Sequence, residues 1–387
     1  MTDVAVAGGG PVGLALAVTL ARCGTAVTVF EERLAPTPLE ESRAITWMPG
    51  GLEFLDWLDI TDRFAAIGMR RRVHEFWSRN RRLVSVRYDR LGHRHPYTLM
   101  LAQHHSERLL QDAAEASGLV EIRRGHRVVQ AGQDPTAAIL TVESPDGPYT
   151  VRAGWAVGAD GARSTVRKAL GVAQRWRDYG ADTTVADFDL SCDLPVDRSR
   201  IVLDPRRPYG LFPFAPDRWR LVYRINPTED RAEMITEARA TQILTRILPD
   251  ATPRRLLWSS AFRLAQGQSQ SYRCGRWLLA GDAAHSMGPS AGAGMMIGIL
   301  GAWRLGLRLS EAISGGSEGP LNRYEVEQRA AADQVQRDNA RIFANIALRS
   351  APVAAVRSGG LWMAGRFPRL SRRMAESEAL LHLPPVI

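Results

Sequence analysis

The strongest constraint on this chain is a glycine cluster near its start. Asp3 to Ala7 is an apolar run without helical period, and GGGPVG, Gly8 to Gly13, stops it. Such a run closed by glycine reads as a short buried strand. Pro11 to Cys23 then reads as a helix, and Ala26 to Phe30 as a β-branched run ending in Glu31 and Glu32. Strand, helix and strand make a βαβ unit, which commits the chain to an α/β fold built on a doubly wound parallel sheet. Gly8, Gly10 and Gly13 stand at the dinucleotide spacing. The first allows a tight turn, the second lets backbone approach a pyrophosphate, and the third lets helix pack on strand. The anion would sit at the helix N-terminus, where free amides and the macrodipole favour negative charge. Glu31, with Glu32 beside it, is placed to bond ribose hydroxyls. A plain glycine-rich turn is the competing account, and the pattern does not say which dinucleotide.

A second motif narrows the choice. Trp277 to Ala280 reads as a buried strand running into GDAAHSMGPSAGAGM from Gly281. Asp282 is placed to hold ribityl hydroxyls, and Pro289 makes a stiff turn. Gly292 and Gly294 let backbone approach a flat ring before a helix begins near Met295 and Met296. Reduced flavin is an anion, so the positive end of that helix would stabilise it. This favours FAD over a nicotinamide here, against the alternative of a glycine-rich loop leading into a core helix. A third motif, VGADGARSTVR from Val157 to Arg167, puts Asp160 and Gly161 at another strand-end turn. Asp160 could lie beside a pyrophosphate, while Arg163, Ser164 and Arg167 offer donors to a second dinucleotide arriving transiently. A strand-to-helix turn capped by Ser164 would look the same.

Between these motifs the pattern changes. From Arg72 to Leu99 and from Thr183 to Phe262 short strands alternate with turn residues, most clearly where Trp219, Leu221 and Tyr223 alternate with Arg220, Val222 and Arg224. These insertions are expected to form one discontinuous domain, residues 72–99 and 183–265, against a cofactor domain of residues 1–71, 100–182 and 266–345. Residues 346–387 are expected to form a helical tail.

Composition excludes several other classes. The formal charge of +9 rests on 50 basic residues, of which only Lys168 is lysine, and they are spread along the chain. A nucleic-acid surface would cluster them with stacking aromatics, so no nucleic acid is expected, although anionic ligands are favoured. Cys23, Cys192 and Cys274 have neither metal-ligand nor disulfide spacing, as in a reducing cytoplasm. The apolar runs Val4 to Ala21 and Met287 to Trp303 are broken by Gly and Pro, so no transmembrane segment is expected.

The three motifs, in this order and at these distances, resemble the FAD-dependent aromatic hydroxylases, the para-hydroxybenzoate hydroxylase-like class A flavoprotein monooxygenases. The resemblance covers roughly Thr2 to Leu309. It includes SRAITWMPGGLEFLDWLDI from Ser42, where Arg43 takes the position of an arginine beside the flavin, and Gln103, which resembles a polar residue meeting the ribityl chain. It implies a glutathione-reductase-type Rossmann-like domain with an inserted mixed β-sheet substrate domain and C-terminal helices. It also implies that NADH or NADPH reduces FAD, that dioxygen adds to give a flavin hydroperoxide, and that one oxygen passes to an electron-rich ring. The cofactor then carries the hard chemistry, and the protein positions and shields. Arg43 and Pro289 would lie near the path of a mobile flavin ring. The chain departs from the pattern where Ala293 and Met296 replace the Gln and Asn of Gly-Gln-Gly-Met-Asn, and where Gly301 and Arg304 replace an Asp and an Asn. The family's longer members carry a further C-terminal domain, for which no room is expected here.

On the substrate side the resemblance points to Tyr209, Phe212, Phe214 and Tyr223, with Trp47 near the ring edge, as a lining for a flat apolar molecule; core packing is the commoner role for any one of them. His93, His95, His104 and His105 are candidate bases, though histidines so close in sequence are more often partly solvated. The expected substrate is an aromatic, polycyclic or quinone-like molecule, acted on by a monomer or homodimer. Alternatives are a reductase, a Baeyer-Villiger-type oxygenase or a halogenase on the same scaffold, or a catalytically silent flavin-binding protein. A halogenase is disfavoured because Trp219, Arg220 and Leu221 do not match its Trp-x-Trp motif.

Overall fold

The computed structural model describes residues 2–288 and 292–386. Its helices are α1 Pro11–Arg22, α2 Pro49–Trp57, α3 Thr61–Ile67, α4 Gln103–Ala116, α5 Thr165–Ala169, α6 Glu237–Ile247, α7 Ala293–Gly315, α8 Gly319–Ala347, α9 Ala351–Ala364 and α10 Pro368–Glu378.

The expected βαβ unit opens the fold. Thr2–Ala7 lies between Val27–Glu31 and Tyr149–Gly158, parallel to both, with Val4 opposite Val27 on one side and Trp155 on the other. Trp277–Leu279 extends the sheet beyond Tyr149–Gly158, and Val120–Arg124 extends it beyond Val27–Glu31. Val4, Ala5 and Val6 are wholly buried, so the strand reads as continuous apolar sequence rather than an alternation, as expected where both faces are covered. Helices α1 and α7 pack closely on one another: a Cβ at Gly306 would come within 2.4 Å of Thr19 Cγ2.

A second sheet runs in the order His285–Ser286, Thr252–Ser269, Gln174–Ser191, Arg218–Ile225, Tyr209–Ala215, Arg198–Val202, Val73–Ser78, Arg81–Arg87. The early segment joins by a parallel pairing of Val73–Trp77 with Arg198–Val202. Both long strands, Gln174–Ser191 and Thr252–Ser269, overrun the segment limits expected from the sequence. The outer face of this sheet is closed by α6, whose Ile243 and Leu244 pack with Phe188, Leu211, Trp219, Leu221 and Tyr223. Thr236 caps that helix, accepting from the Arg239 amide.

The tail is helical, as expected, and folds back. Helices α9 and α10 lie against the edge strand Arg81–Arg87, and the Gly50 amide at the start of α2 donates to Ala379 O at 3.3 Å. Among the described residues no helix is long and apolar enough to cross a membrane.

Candidate active site

A cavity of about 1440 Å³ runs between the two sheets and is lined by residues of all three motifs. At one end is the glycine turn, and the three glycines prove unequal. Gly8 has φ +107°, and a Cβ there would stand 2.5 Å from Ala159 O. A Cβ on Gly13 would stand 1.9 Å from Gly8 O. These two are demanded by the fold. Around Gly10, nothing lies within 4 Å of an added Cβ, and this residue caps α1, whose amides face the cavity. That open space at a helix N-terminus fits a pyrophosphate. Glu31 is held at the cavity edge by two backbone donors, Gly9 N to Oε2 at 2.6 Å and Arg33 N to Oε1 at 3.0 Å. Glu32 also lines the cavity, but its side chain is mostly solvated and meets Arg127 at 3.8 Å.

The third motif follows the second of its two readings, a strand-to-helix turn capped by Ser164. Asp160 accepts from the Ser164 hydroxyl and the Val166 amide, and Ser164 in turn accepts from the Arg167 amide, so both side chains build the short α5. Arg167 is buried and donates to Ala283 O at 3.2 Å and Ala162 O at 3.0 Å. Ser164 and Arg167 therefore do not offer donors to a second dinucleotide. Arg167 instead ties the third motif to the second, and Gly161 and the exposed Arg163 remain at the cavity wall.

In the second motif Asp282 sits in the middle of a short 3₁₀ turn, Gly281–Ala283, which leans on α1: a Cβ at Gly281 would meet Val12 at 3.0 Å. Burial pushes the Asp282 carboxyl up to about 6, with Arg43 opposing the shift. Arg43 is exposed on the cavity wall and pairs with Glu41 at 2.7 Å. Gln103 holds this segment by accepting from the Ala44 amide at 3.0 Å while donating to Glu107 at 2.8 Å. Gly292, with φ +71°, caps α7, and Gly294 and Met295 line the cavity beside it. Pro289 lies outside the described residues. Met296 corrects the sequence reading: it is fully buried, and its sulfur stands 2.4 Å from where a Gly51 Cβ would be, so it locks α7 to α2. Gly301 and Arg304 are also structural. Gly301 leaves room for Gln328, whose oxygen accepts from Arg304 at 2.6 Å and whose nitrogen donates to Ile297 O and to His285 Nε2. Burial holds His285 down to about 4, so its ring is the neutral acceptor that this contact requires.

The second sheet forms the other wall, and cross-strand register decides which side chains reach it. Phe212 stands opposite Arg220, Gly210 opposite Val222 and Ile201, and Val222 opposite Val185, which pairs with Ser260. On this face Phe212, Val222, Trp258 and Phe262 line the cavity. Tyr209 and Tyr223 pair with each other on the opposite face, packed toward α6, and the Tyr223 hydroxyl donates to Met234 O at 2.5 Å. Phe214 is buried with Ile45 and Met100 behind Phe212. Trp47 is wholly buried, donating to Ser106 Oγ at 2.9 Å and meeting Phe64 edge-on. Of the five aromatic candidates, Tyr209, Phe212 and Tyr223 border the cavity, with strand parity putting the Phe212 ring on the cavity face and the two tyrosine rings on the other, while Phe214 and Trp47 lie behind that lining. Arg220 on that face makes a two-point pair with Asp187 at 2.7 and 2.8 Å and also donates to the Arg43 carbonyl at 2.9 Å and to the Ser42 carbonyl. One buried guanidinium thus hangs the Ser42–Arg43 segment from the sheet.

The candidate histidines lie elsewhere. His93 pairs with Glu53 at 2.9 Å and His95 with Asp56 at 2.6 Å. Burial holds His104 down to about 4, against His105 at 4.0 Å between ring centroids. Among the described residues no group of side chains is arranged to hold a metal ion.

Comparison with known proteins agrees with this geometry. The family model described as FAD binding domain matches residues 1–339. A 12-dehydrotetracycline 5-monooxygenase/anhydrotetracycline 6-monooxygenase of Streptomyces rimosus is 34% identical over 351 residues, covering 87% of this chain and 68% of that one. The chain belongs to the FAD-dependent aromatic hydroxylase family. Among solved structures, p-nitrophenol 4-monooxygenase from Pseudomonas putida DLL-E4 superposes with a TM-score of 0.90 at 26% identity, covering 98% of both chains. Aklavinone-11 hydroxylase, crystallised with FAD and aklavinone, superposes at 0.78 and 28% identity over 86% of this chain and 67% of that one.

The hydroxylase fold thus meets a cavity whose residues suit FAD. The open space at Gly10, the helix starts at α1 and α7, and the acceptors Glu31 and Asp282 all border one cavity and suit the anionic and hydroxyl-bearing parts of that cofactor. Sequence reasoning missed Arg220, Trp258 and Phe262 on the opposite wall. It also missed Arg71, His74, Tyr88 and Glu378, which close one end of the cavity. Strand alternation was the signal for Arg220, Trp258, Phe262, Arg71 and His74; Tyr88, in a one-turn 3₁₀ helix, and Glu378, in a polar stretch near the end of the chain, left none.

Proposed function

We propose that this protein is an FAD-dependent monooxygenase that draws electrons from NADH or NADPH and places one oxygen atom of dioxygen on an electron-rich aromatic, polycyclic or quinone-like molecule. One observation carries the reading: a single cavity joins the dinucleotide cradle at Gly8 to Pro11 with the aromatic face of Phe212, Trp258 and Phe262. FAD, once bound and reduced, supplies the activation of dioxygen. Glu31 would hold the ribose and Asp282 the ribityl hydroxyls. The amides at the start of α7, by Gly292 to Met295, would carry the positive end of that helix to the developing charge on the ring. Phe212, Val222, Trp258 and Phe262 would hold a flat substrate and keep water away. The tetracycline-type and nitrophenol relatives support a ring substrate. Residues 72–99 and 183–265 would supply the substrate side, and residues 1–71, 100–182 and 266–345 the cofactor side.

The purified protein is expected to be yellow. With the right aromatic it should oxidise NADH or NADPH faster and release a product heavier by one oxygen atom, as read by mass spectrometry. A folded sample that takes up no FAD overturns the reading.

A further inference from the structure

Outside the cavity, helix α9 is amphipathic in the reverse sense. A surface helix in water buries its apolar stripe and leaves polar side chains outside. The inward face of α9 instead holds Arg357, which donates to Asn345 O at 3.0 Å and Leu203 O at 2.8 Å, beside the buried Ala354. Its exposed residues, from Ala351 to Met363, are alanine, proline, valine, glycine and methionine alone, and Val356 is 78% exposed. The stripe continues past the helix. The backbone keeps turning, the Phe367 amide donating to Ala364 O at 3.1 Å, and Phe367 and Leu370 at the start of α10 are exposed as well. Of the thirteen large apolar side chains exposed among the described residues, five (Val353, Val356, Met363, Phe367 and Leu370) fall within these eighteen positions. Scattered singly such residues need no explanation, but gathered they mark a docking face.

Charge identifies what docks. From Arg349 to Ala375 the sequence has six arginines and neither Asp nor Glu. Arg372 pairs with Glu376 at 2.9 Å, whereas Arg366, Arg369 and Arg373 are exposed and have no acidic partner among the described residues. The guanidinium carbons of Arg366 and Arg81 lie 3.9 and 4.7 Å from the ring centroid of Trp362. Beside Trp362 a groove of about 550 Å³, between the start of α10 and the strand Arg81–Arg87, is lined by Arg82, Arg87, Arg90, Arg366 and Arg372 and by no carboxylate among the described residues. A second copy of the chain, itself at +9, would bring two such arginine rims together. Apolar side chains with a rim of arginine and tryptophan suit an anionic membrane surface instead.

We propose that this face docks on a bilayer carrying anionic lipid. Val353, Val356, Met363, Phe367 and Leu370 enter the boundary of the acyl chains, and Arg366, Arg369 and Arg373 meet lipid phosphates. Helix α10 leads from this face to the cavity: its eleven residues end at Glu378 on the cavity wall, about 15 Å of helix away. Docking therefore sets the cavity close to a store of apolar molecules.

The test needs no turnover and is independent of the monooxygenase reading. The flavin-loaded protein is floated with vesicles of phosphatidylcholine and with vesicles of an equal mixture of phosphatidylcholine and phosphatidylglycerol. Binding should be at least about tenfold stronger on the mixture and weaken with added salt. Val356→Glu/Met363→Glu should lose at least about tenfold of that binding. Arg366→Gln/Arg369→Gln should lose about tenfold, whereas Arg246→Gln/Arg255→Gln, which removes the same charge from exposed arginines outside the patch, should stay within about twofold. All these side chains are exposed, so folding and flavin content should be unchanged, as read by circular dichroism and absorbance. No binding, equal binding to both kinds of vesicle, equal losses in the two arginine variants, or undiminished binding of Val356→Glu/Met363→Glu overturns the proposal. A dimer in light scattering that Val356→Glu/Met363→Glu splits would assign the face to a second copy and overturn it too.

Discussion

The glycine turn after the first strand and the paired strands Tyr209–Ala215 and Arg218–Ile225 serve the same cavity from opposite sides, yet they are specified in different ways. In the turn, function depends on where side chains cannot be. Gly8 and Gly13 are fixed by backbone atoms 2.5 and 1.9 Å from any added Cβ, and Gly10 is left open for a ligand. On the strands, function depends on which of two faces a side chain takes, and that is settled by what covers the other face. Helix α6 buries Trp219, Leu221 and Tyr223, so Arg220 and Val222 turn to the cavity. Steric exclusion is local and leaves a motif. A choice of face is set by distant packing and leaves only an alternation whose sense is ambiguous.

The sharpest way to strain this contrast is at Arg220. Arg220→Ala strands the buried Asp187 carboxylate and frees the Ser42 and Arg43 carbonyls, and should cost about 3–5 kcal/mol in denaturant unfolding. Next comes the glycine pair. Gly13→Ala should lose about 1–3 kcal/mol through overpacking and most flavin binding with it. Gly10→Ala should keep the apoprotein within about 1 kcal/mol of the original while weakening FAD, because nothing but ligand occupies that space. Equal stability losses at both positions would erase the distinction between a glycine kept for the fold and one kept for the cofactor.

A smaller effect tests the choice of face. Tyr223→Phe should cost about 1 kcal/mol, from the lost bond to Met234 O, and leave substrate affinity alone. Phe212→Ala should weaken an aromatic ligand about tenfold by titration. The reverse pattern would mean that the register points the other way. The smallest effect concerns Asp282, whose carboxyl stands at about 6, above its unfolded value. For an acid shifted upward by folding, the associated stabilisation of the apoprotein is present at low pH and is lost as pH rises from the unfolded value through 6. An ionised carboxylate accepts hydroxyl hydrogen bonds more strongly than a protonated one, so if Asp282 holds the FAD hydroxyls, FAD affinity should fall by a few-fold as pH drops below about 6. Asp282→Asn should flatten that dependence.

These contrasts explain how far residues alone can be read. The βαβ start, the three turn motifs and the helical tail were legible because glycine, proline and apolar runs act within a few residues of themselves. That Val73–Ser78 pairs with Arg198–Val202 was foreseeable only as two similar patterns. The motif residues Ser164 and Arg167 misled for a physical reason: polar side chains at a strand-end turn satisfy the turn's own amides and carbonyls before any ligand's. Met296 misled because a helix that starts at the cavity buries every third or fourth side chain in the core within its first turn. Trp47 and Tyr223 are large apolar rings, and the interior claims such residues more often than a cleft does.

The contact between His74 and Glu378 spans 304 positions along the chain. Such a bond closes a very large loop and gains nothing until the intervening sheets have assembled. Removing the last helix should therefore open the cavity at Glu378 while leaving the glycine turn at Gly8 to Pro11 in place.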